Sequence, residues 1–194
     1  PEARRILRQQ ITQGINAPMT SSFGRLFDAV ASLIGIRQTV SYEAQAAIEL
    51  EEIATAGQDK AYEFGLAQGL IDPTPVIRAI VRDYEAEVPA SEIAGRFHGG
   101  IANLVQILAE ELRRSHGISL VVLSGGVWQN MKLLSQSHRR LTDAGFEVLT
   151  HRRVPTNDGG ISLGQVWLAC HYLDNGIDQL EVFEKLSRHK PAGG

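Results

Sequence analysis

Cysteine is almost absent: Cys170 is the only one in 194 residues. That excludes a disulfide framework or a cysteine zinc site within the chain, and a reducing, cytoplasmic setting is the expectation. No apolar run is long enough to span a bilayer, and no signal-peptide pattern occurs. Neither charge sign dominates: 19 Lys plus Arg face 22 Asp plus Glu, a formal net charge of -3. A non-specific nucleic-acid binder would be basic, so no nucleic acid and no membrane are expected as partners. No two histidines stand one helical turn apart, so the chain offers no i,i+4 metal pair. There is no internal repeat and no low-complexity segment. There is also no initiator methionine: the chain begins Pro1-Glu2, as a piece of a longer protein would.

What is present supports a packed core, with 43% hydrophobic residues, in one large domain or two small ones. The stretch Ile118 to Asn130 organises the rest. Ile118 to Leu123 reads as a buried strand, Ser124-Gly125-Gly126 as a turn without side-chain bulk, and Val127, Met131, Leu134 and Leu141 as a following helix that stops at Gly145. Phe146 to Thr150 is a second strand, which makes a right-handed βαβ unit with parallel strands. A glycine turn between strand and helix presents N–H groups to an anion such as phosphate, although tight bending alone also explains paired glycines. A second glycine pair follows in Asn157-Asp158-Gly159-Gly160, before a helix from Ile161 whose buried stripe should hold Leu163, Val166, Trp167, Cys170 and Leu173. Asp158 is either an N-cap or a carboxylate ligand for a divalent cation held near a phosphate.

The first 116 residues read as mainly helical. Pro1 to Gln13 is a polar helix ended by Gly14. From Thr20, Phe23, Leu26, Phe27, Val30, Leu33 and Ile34 repeat with helical spacing, capped by Thr20, Ser21 or Ser22. The opposite face, with Ser21, Gly24, Arg25, Asp28 and Ser32, is small and polar. Gly24 costs about 1 kcal/mol relative to Ala inside a helix, which leaves room for a close-packed helix or for a ligand whose hydroxyls Asp28 accepts from. Tyr42 to Ala54 is an Ala- and Glu-rich helix burying Ala44, Ala47, Ile48 and Ala54. Glu43 near its start suits the helix dipole, and Glu49, Glu51 and Glu52 form a solvated face. Tyr62 to Ala67 and Gly69 to Ile71 read as a hairpin about Gln68-Gly69. Asp72-Pro73-Thr74-Pro75 then starts a helix burying Val76, Ile77, Ile80, Val81 and Tyr84. Ser91, as cap, opens the longest helix, which ends at Gly117. Gly99 and Gly100 within it imply close approach of another element, and His98 beside them reads as a partly exposed helix residue. After Asn175-Gly176, a short helix and a tail from Asp178 complete the chain.

Three stretches then coincide. Thr20 to Val30 with Tyr42 to Ala47, Leu123 to Asn130, and Arg152 to Gln165 together resemble the HypF-type hydrogenase maturation carbamoyltransferases, in that family's order and over nearly the whole chain. The resemblance implies an α/β fold, the C-terminal half of an actin-like (ASKHA, Kae1-like) ATPase with a mainly helical insertion. Residues 1–116 would carry the insertion and the nucleotide-side helices, and residues 117–194 the α/β subdomain with the phosphate and metal-side loops. It implies carbamoyl transfer, from carbamoyl adenylate made with carbamoyl phosphate and ATP, to the C-terminal cysteine of HypE, on the way to the cyanide ligands of NiFe hydrogenase. It matches Asp158 to a ligand of a divalent metal (Fe, Zn or Mg). Gly125 and Gly126 match the phosphate glycines, Asp28 a ribose contact and Asn130 a nucleotide contact; Gly24, Glu43 and Gln45 lie in matching motifs. The family's His-x-x-x-His metal pair is absent here. HypE, the other lobe and the YrdC-like domain are therefore the implied partners, and the isolated piece is not expected to transfer carbamoyl. Sheet surface left uncovered by the missing lobe makes a homodimer a further expectation. The rival readings are an O-carbamoyltransferase, a tRNA threonylcarbamoyl transferase of the same fold, and a non-catalytic nucleotide-binding module.

Overall fold

Two motifs carry the architecture: a helical layer built on one long helix, and a small βαβ unit packed against that helix. The computed structural model describes residues 2–55, 60–67 and 69–176. Gln68 of the expected hairpin turn and the expected helix and tail from Asp178 lie outside the described residues.

Helix α1 (Glu2–Gln13) precedes α2 (Phe23–Leu33) and α3 (Gln45–Ile53). The antiparallel hairpin of β1 (Gly65–Ala67) and β2 (Leu70–Asp72) follows, with Leu66 opposite Ile71. Helices α4 (Thr74–Glu85) and α5 (Ala90–His116) lead to β3 (Leu120–Leu123), α6 (Met131–Asp143), β4 (Glu147–Thr150) and α7 (Ile161–Asp174). Strands β3 and β4 pair in parallel, with Val122 opposite Leu149, as the strand–helix–strand spacing requires.

The main core collects Phe27, Val30, Leu50, Val76, Ile80, Ile93, Phe97 and Leu133 from α2 to α6. Phe27 and Phe97 meet edge to face, their ring centroids 5.0 Å apart. A second cluster, Ala109, Leu123, Leu141 and Phe146, joins α5 to the βαβ unit. Arg113 closes its end by stacking over Phe146 at 4.0 Å and donating to the Ala144 carbonyl at 2.8 Å. The glycines of α5 have the expected reason. A Cβ on Gly100 would stand 2.4 Å from the Tyr62 carbonyl oxygen, so the extended segment before β1 lies directly on the helix. Tyr62 is held there by Asp83, which accepts its hydroxyl at 2.6 Å and an Arg96 N–H at 2.6 Å.

Several expectations about faces and caps are corrected. Helix α3 starts at Gln45, because Ala44 adopts the left-handed conformation with φ 61°. Its inner face is Gln45, Ala46 and Leu50, while Ile48 is exposed. Ser91 is not a cap: Pro89 holds that position, and the Ser91 carbonyl accepts from Thr55. Tyr84 is exposed. Only Leu123 of β3 is buried, since a two-stranded sheet has a second face and nothing among the described residues buries it. Helix α7 buries none of its side chains; Trp167 is 64% exposed and Cys170 is exposed. Its apolar residues are spread around the helix and not gathered on one stripe, and nothing among the described residues covers them.

Candidate functional site

Ser124-Gly125-Gly126 leaves the carboxyl end of β3, where parallel sheets place their ligands. Gly125 has φ 106°, a conformation that needs glycine. Its N–H donates to the Thr156 carbonyl at 2.9 Å, and the Thr156 hydroxyl returns a bond to the Gly125 carbonyl at 3.2 Å. This exchange fastens the glycine turn to the loop after β4. In that loop Asn157, not Asp158, is the cap: its side chain accepts from the Gly159 N–H at 3.1 Å. A Cβ on Gly160 would stand 2.8 Å from the Pro155 carbonyl, so this second glycine doublet serves the fold of the loop itself. Asp158 is thereby left exposed and without a capping duty.

The two loops share one cavity of about 870 Å³, lined by Gly126, Val127, Asn130, Asn157, Asp158 and Gly159 on one side and by Gly24, Phe27, Glu43, Ala44 and Glu51 on the other. A second cavity of about 940 Å³ lies beyond, lined by Gly24, Asp28, Ser32, Arg37, Tyr42 and Glu43. Gly24 and Glu43 border both. A Cβ on Gly24 would meet only Ser22 Oγ, at 3.5 Å. Among the described residues no helix packs there, so the room that glycine leaves is open to the cavities. Asp28 faces the second cavity and pairs loosely with Arg25 at 3.6 Å. Glu43 precedes α3 instead of sitting in its first turn, so the helix dipole does not account for it.

Two arginines border the second cavity: Arg25, paired only loosely with Asp28, and Arg37, which is fully engaged. Arg37 donates to both carboxylate oxygens of Glu49. The Arg37 hydrogen bond, then that of Gln45, hold the Glu49 carboxyl below its ordinary range, and Glu49 raises the guanidinium in turn. Gln45, buried, donates to Glu49 at 3.0 Å and accepts the Ser41 N–H at 2.7 Å, which fixes the loop walling this cavity. Glu49 is therefore a buttress and not part of a solvated face.

The helix after the glycine turn does not begin where its spacing suggests. Gly126–Gln129 is a 3-10 turn, and α6 begins at Met131, itself exposed. The free N–H groups of α6 are occupied: Glu51 Oε1 accepts from Met131 at 2.7 Å and Lys132 at 3.1 Å, and Asn130 Oδ1 accepts from Leu133 at 2.8 Å. An incoming anion would compete there with a built-in carboxylate. The N–H groups of Gly126 and Val127 have no acceptor among the described residues, and both residues line the first cavity. They are donors free to meet an anion; the Phe23 and Gly24 N–H groups at the start of α2, which line the same cavity, likewise have no acceptor among the described residues.

His98 corrects the expectation of a half-exposed helix residue. It is fully buried, edge to face with Phe27, its ring centroid 5.2 Å away. Nδ1 lies 2.7 Å from the Ala94 carbonyl and Nε2 2.9 Å from Asn130 Nδ2. Desolvation lowers its pKa below the ordinary histidine value, against the opposing hydrogen bond to Ala94. Sequence spacing gave no signal for this contact, because its partner is 32 residues away.

For a divalent cation the donor set is incomplete. No cluster of three or more His, Cys, Asp or Glu side chains suited to a metal exists among the described residues. Asp158 can supply one oxygen ligand, and hard cations take about six or more.

A family model described as carbamoyltransferase, Kae1-like domain, second subdomain, matches residues 1–165. The chain belongs to the HypF carbamoyltransferase family. It is 37% identical over 175 residues to carbamoyltransferase HypF of Rhodobacter capsulatus, covering 89% of this chain and 22% of that protein. With the Synechocystis sp. HypF it shares 38% over 163 residues, covering 81% of this chain and 20% of that protein. A crystal structure of full-length HypF in a phosphate- and nucleotide-bound form superposes with a TM-score of 0.86 at 42% identity, covering 91% of this chain and 24% of that one. HypF of T. kodakarensis gives 0.77 at 29%, covering 88% of this chain and 22% of that one. The chain thus spans about a fifth to a quarter of the length of these four HypF proteins. The α/β, Kae1-like fold expected from the motifs stands. No helix among the described residues is long and apolar enough to cross a membrane.

Proposed function

We propose that this chain forms the nucleotide- and anion-holding half of a carbamoyl-transfer site, within a HypF-type protein working in the cytoplasm. The supporting observation is the pair of cavities that meet at Gly24, one beside Asp28 and the other beneath the Gly126 and Val127 N–H groups. A molecule with a hydroxylated nucleoside at one end and a phosphate at the other suits both, and carbamoyl adenylate, made with ATP and carbamoyl phosphate, is such a molecule.

Asp28 would accept from the ribose hydroxyls, with Glu43 beside it. The Gly126 and Val127 N–H groups would hold the phosphate and, as AMP departs, the charge that develops on it. The acceptor is the C-terminal cysteine thiolate of HypE. Its sulfur bonds to the carbamoyl carbon, the carbon–oxygen bond of the mixed anhydride breaks, and AMP leaves with the electron pair. The adenylate is already activated, so holding it in line with the thiolate supplies most of what the chain must do. No covalent nucleophile of this chain is required; Cys170 is exposed on α7 and lines neither cavity. Asp158 would contribute one ligand to a divalent cation (Fe, Zn or Mg) whose other donors come from the remainder of the protein, as would the YrdC-like domain and the second lobe. The transfer is accordingly assigned to the whole protein.

The test uses the intact protein with ATP, carbamoyl phosphate and HypE, following the mass of the HypE C-terminal peptide. Carbamoylation that falls at least about tenfold in Asp28→Ala and in Asp158→Ala, the scale of losing one charge-assisted contact, supports the reading. Undiminished transfer in both variants refutes it.

A further inference from the structure

We infer that His98 is a positioning residue for this site: its Nε2 sets the orientation of the Asn130 amide and, through it, the wall of the anion cavity. The inference rests on the nucleotide reading for its consequence and on geometry alone for its first step.

The hydrogen bonds admit one arrangement. The Ala94 carbonyl only accepts, so the His98 nitrogen 2.7 Å from it, Nδ1, carries the proton. A neutral ring then leaves Nε2 as an acceptor. At the other end, the Leu133 N–H only donates, so the Asn130 atom 2.8 Å from it is Oδ1. Asn130 Nδ2 therefore points at Nε2, 2.9 Å away, and donates to it. Two fixed backbone groups, one on α5 and one on α6, force the same tautomer and the same amide orientation.

The position is otherwise hard to explain. His98 is completely buried between Phe27 and Phe97. A branched aliphatic side chain would pack there without desolvating a polar ring. What an aliphatic residue lacks is the acceptor that Asn130 needs. Asn130 is the hinge between the 3-10 turn that carries the Gly126 and Val127 N–H groups and the first turn of α6, and it lines the cavity itself. The charges of Glu51 and Lys132 act on the ring in opposite directions, and burial outweighs either. A neutral acceptor at this point therefore fixes the turn that holds the anion.

The experiment uses the intact protein. ADP affinity is measured by calorimetry for wild type, His98→Leu, His98→Gln, Asn130→Ala and the His98→Leu/Asn130→Ala double variant. Histidine ring nitrogens and the Asn130 side-chain amide are observed by 15N NMR. The expected results are about tenfold weaker ADP binding in His98→Leu, on the scale of one broken hydrogen bond that leaves its partner unsatisfied, recovery in His98→Gln, and no further loss in the double variant beyond Asn130→Ala. The Asn130 amide signal should move in His98→Leu and return in His98→Gln. Additive losses, or a Gln variant as weak as Leu, would overturn the inference. If wild type binds no nucleotide, the nucleotide reading fails and the Asn130 signal decides alone: unmoved in His98→Leu, it rejects the positioning role. Asn130→Asp covers the case in which His98→Leu does not fold. Aspartate is also a good cap, and its carboxylate should bring a proton to Nε2, seen as a change in that nitrogen's shift; an unchanged nitrogen contradicts the contact.

Discussion

Glu51 and Lys132 cap each other's helices. The Glu51 carboxylate takes two N–H groups at the start of α6, while Lys132 Nζ donates to the carbonyls of Glu51 at 2.6 Å and Ala54 at 2.5 Å at the end of α3. Each charge sits at the helix end whose dipole favours it. The pair joins the helical layer to the βαβ unit at the edge of the anion cavity. Glu51→Ala should cost about 1–2 kcal/mol, the range of a lost cap, and lower the melting temperature by roughly 2–8 °C. Lys132→Met should cost a similar amount, and the double variant less than the sum, because each single change leaves the other partner stranded. Thermal unfolding of the three variants measures this.

Gly24 separates stability from binding. Among the described residues only Ser22 Oγ lies within reach of an added Cβ, so Gly24→Ala should stabilise α2 by up to about 1 kcal/mol. The same methyl enters the junction of the two cavities, so nucleotide affinity should fall. Higher melting temperature with weaker ADP binding is the expected pattern. A variant that is more stable and binds ADP unchanged would mean that the ligand does not cross Gly24.

Gly100 gives the opposite behaviour. Its missing Cβ is replaced by the Tyr62 backbone, which has no flexible end to move aside. Gly100→Ala should destabilise by about 1–3 kcal/mol or more, as overpacking does, despite the better helix propensity of alanine. Urea unfolding would show it as a lower midpoint.

His98 makes stability depend on pH with a definite sign. Its folded pKa is lowered by burial, while the unfolded ring titrates near about 6.5. Between the two values the unfolded chain binds more protons, so stability falls as pH drops through the unfolded value and is flat above it. Urea unfolding at about pH 7.5 and about pH 5.5 should show that loss, and His98→Gln should remove its part of it.

How far the sequence speaks depends on whether a residue's partner is local. The α2 stripe, the parallel βαβ unit and the close approach at Gly100 all follow from short-range spacing or from the cost of glycine. The inner face of α3 was misread because a left-handed Ala44 shifts its start and because Gln45 is buried to serve Glu49 and Ser41. The Glu51 cap spans 80 residues and the His98–Asn130 contact 32, distances at which periodicity carries no information. The residues expected as the buried stripe of α7 are exposed, because nothing among the described residues packs over them. In the sequence the candidate site showed as two glycine loops, the carboxylates Asp28, Glu43 and Asp158, and the room left at Gly24; the filled N-terminus of α6 and the meeting of two cavities at Gly24 did not show.

The central claim is that one nucleotide spans both cavities, its phosphate on the Gly126 and Val127 N–H groups. A crystal structure of the intact protein with a non-hydrolysable acyl adenylate tests it most directly. The account predicts the nucleoside beside Asp28, the phosphate within hydrogen-bond reach of those two N–H groups, and Glu51 still seated on α6. A phosphate that displaces Glu51 from Met131 and Lys132, or a ligand bound away from Gly24, would contradict it.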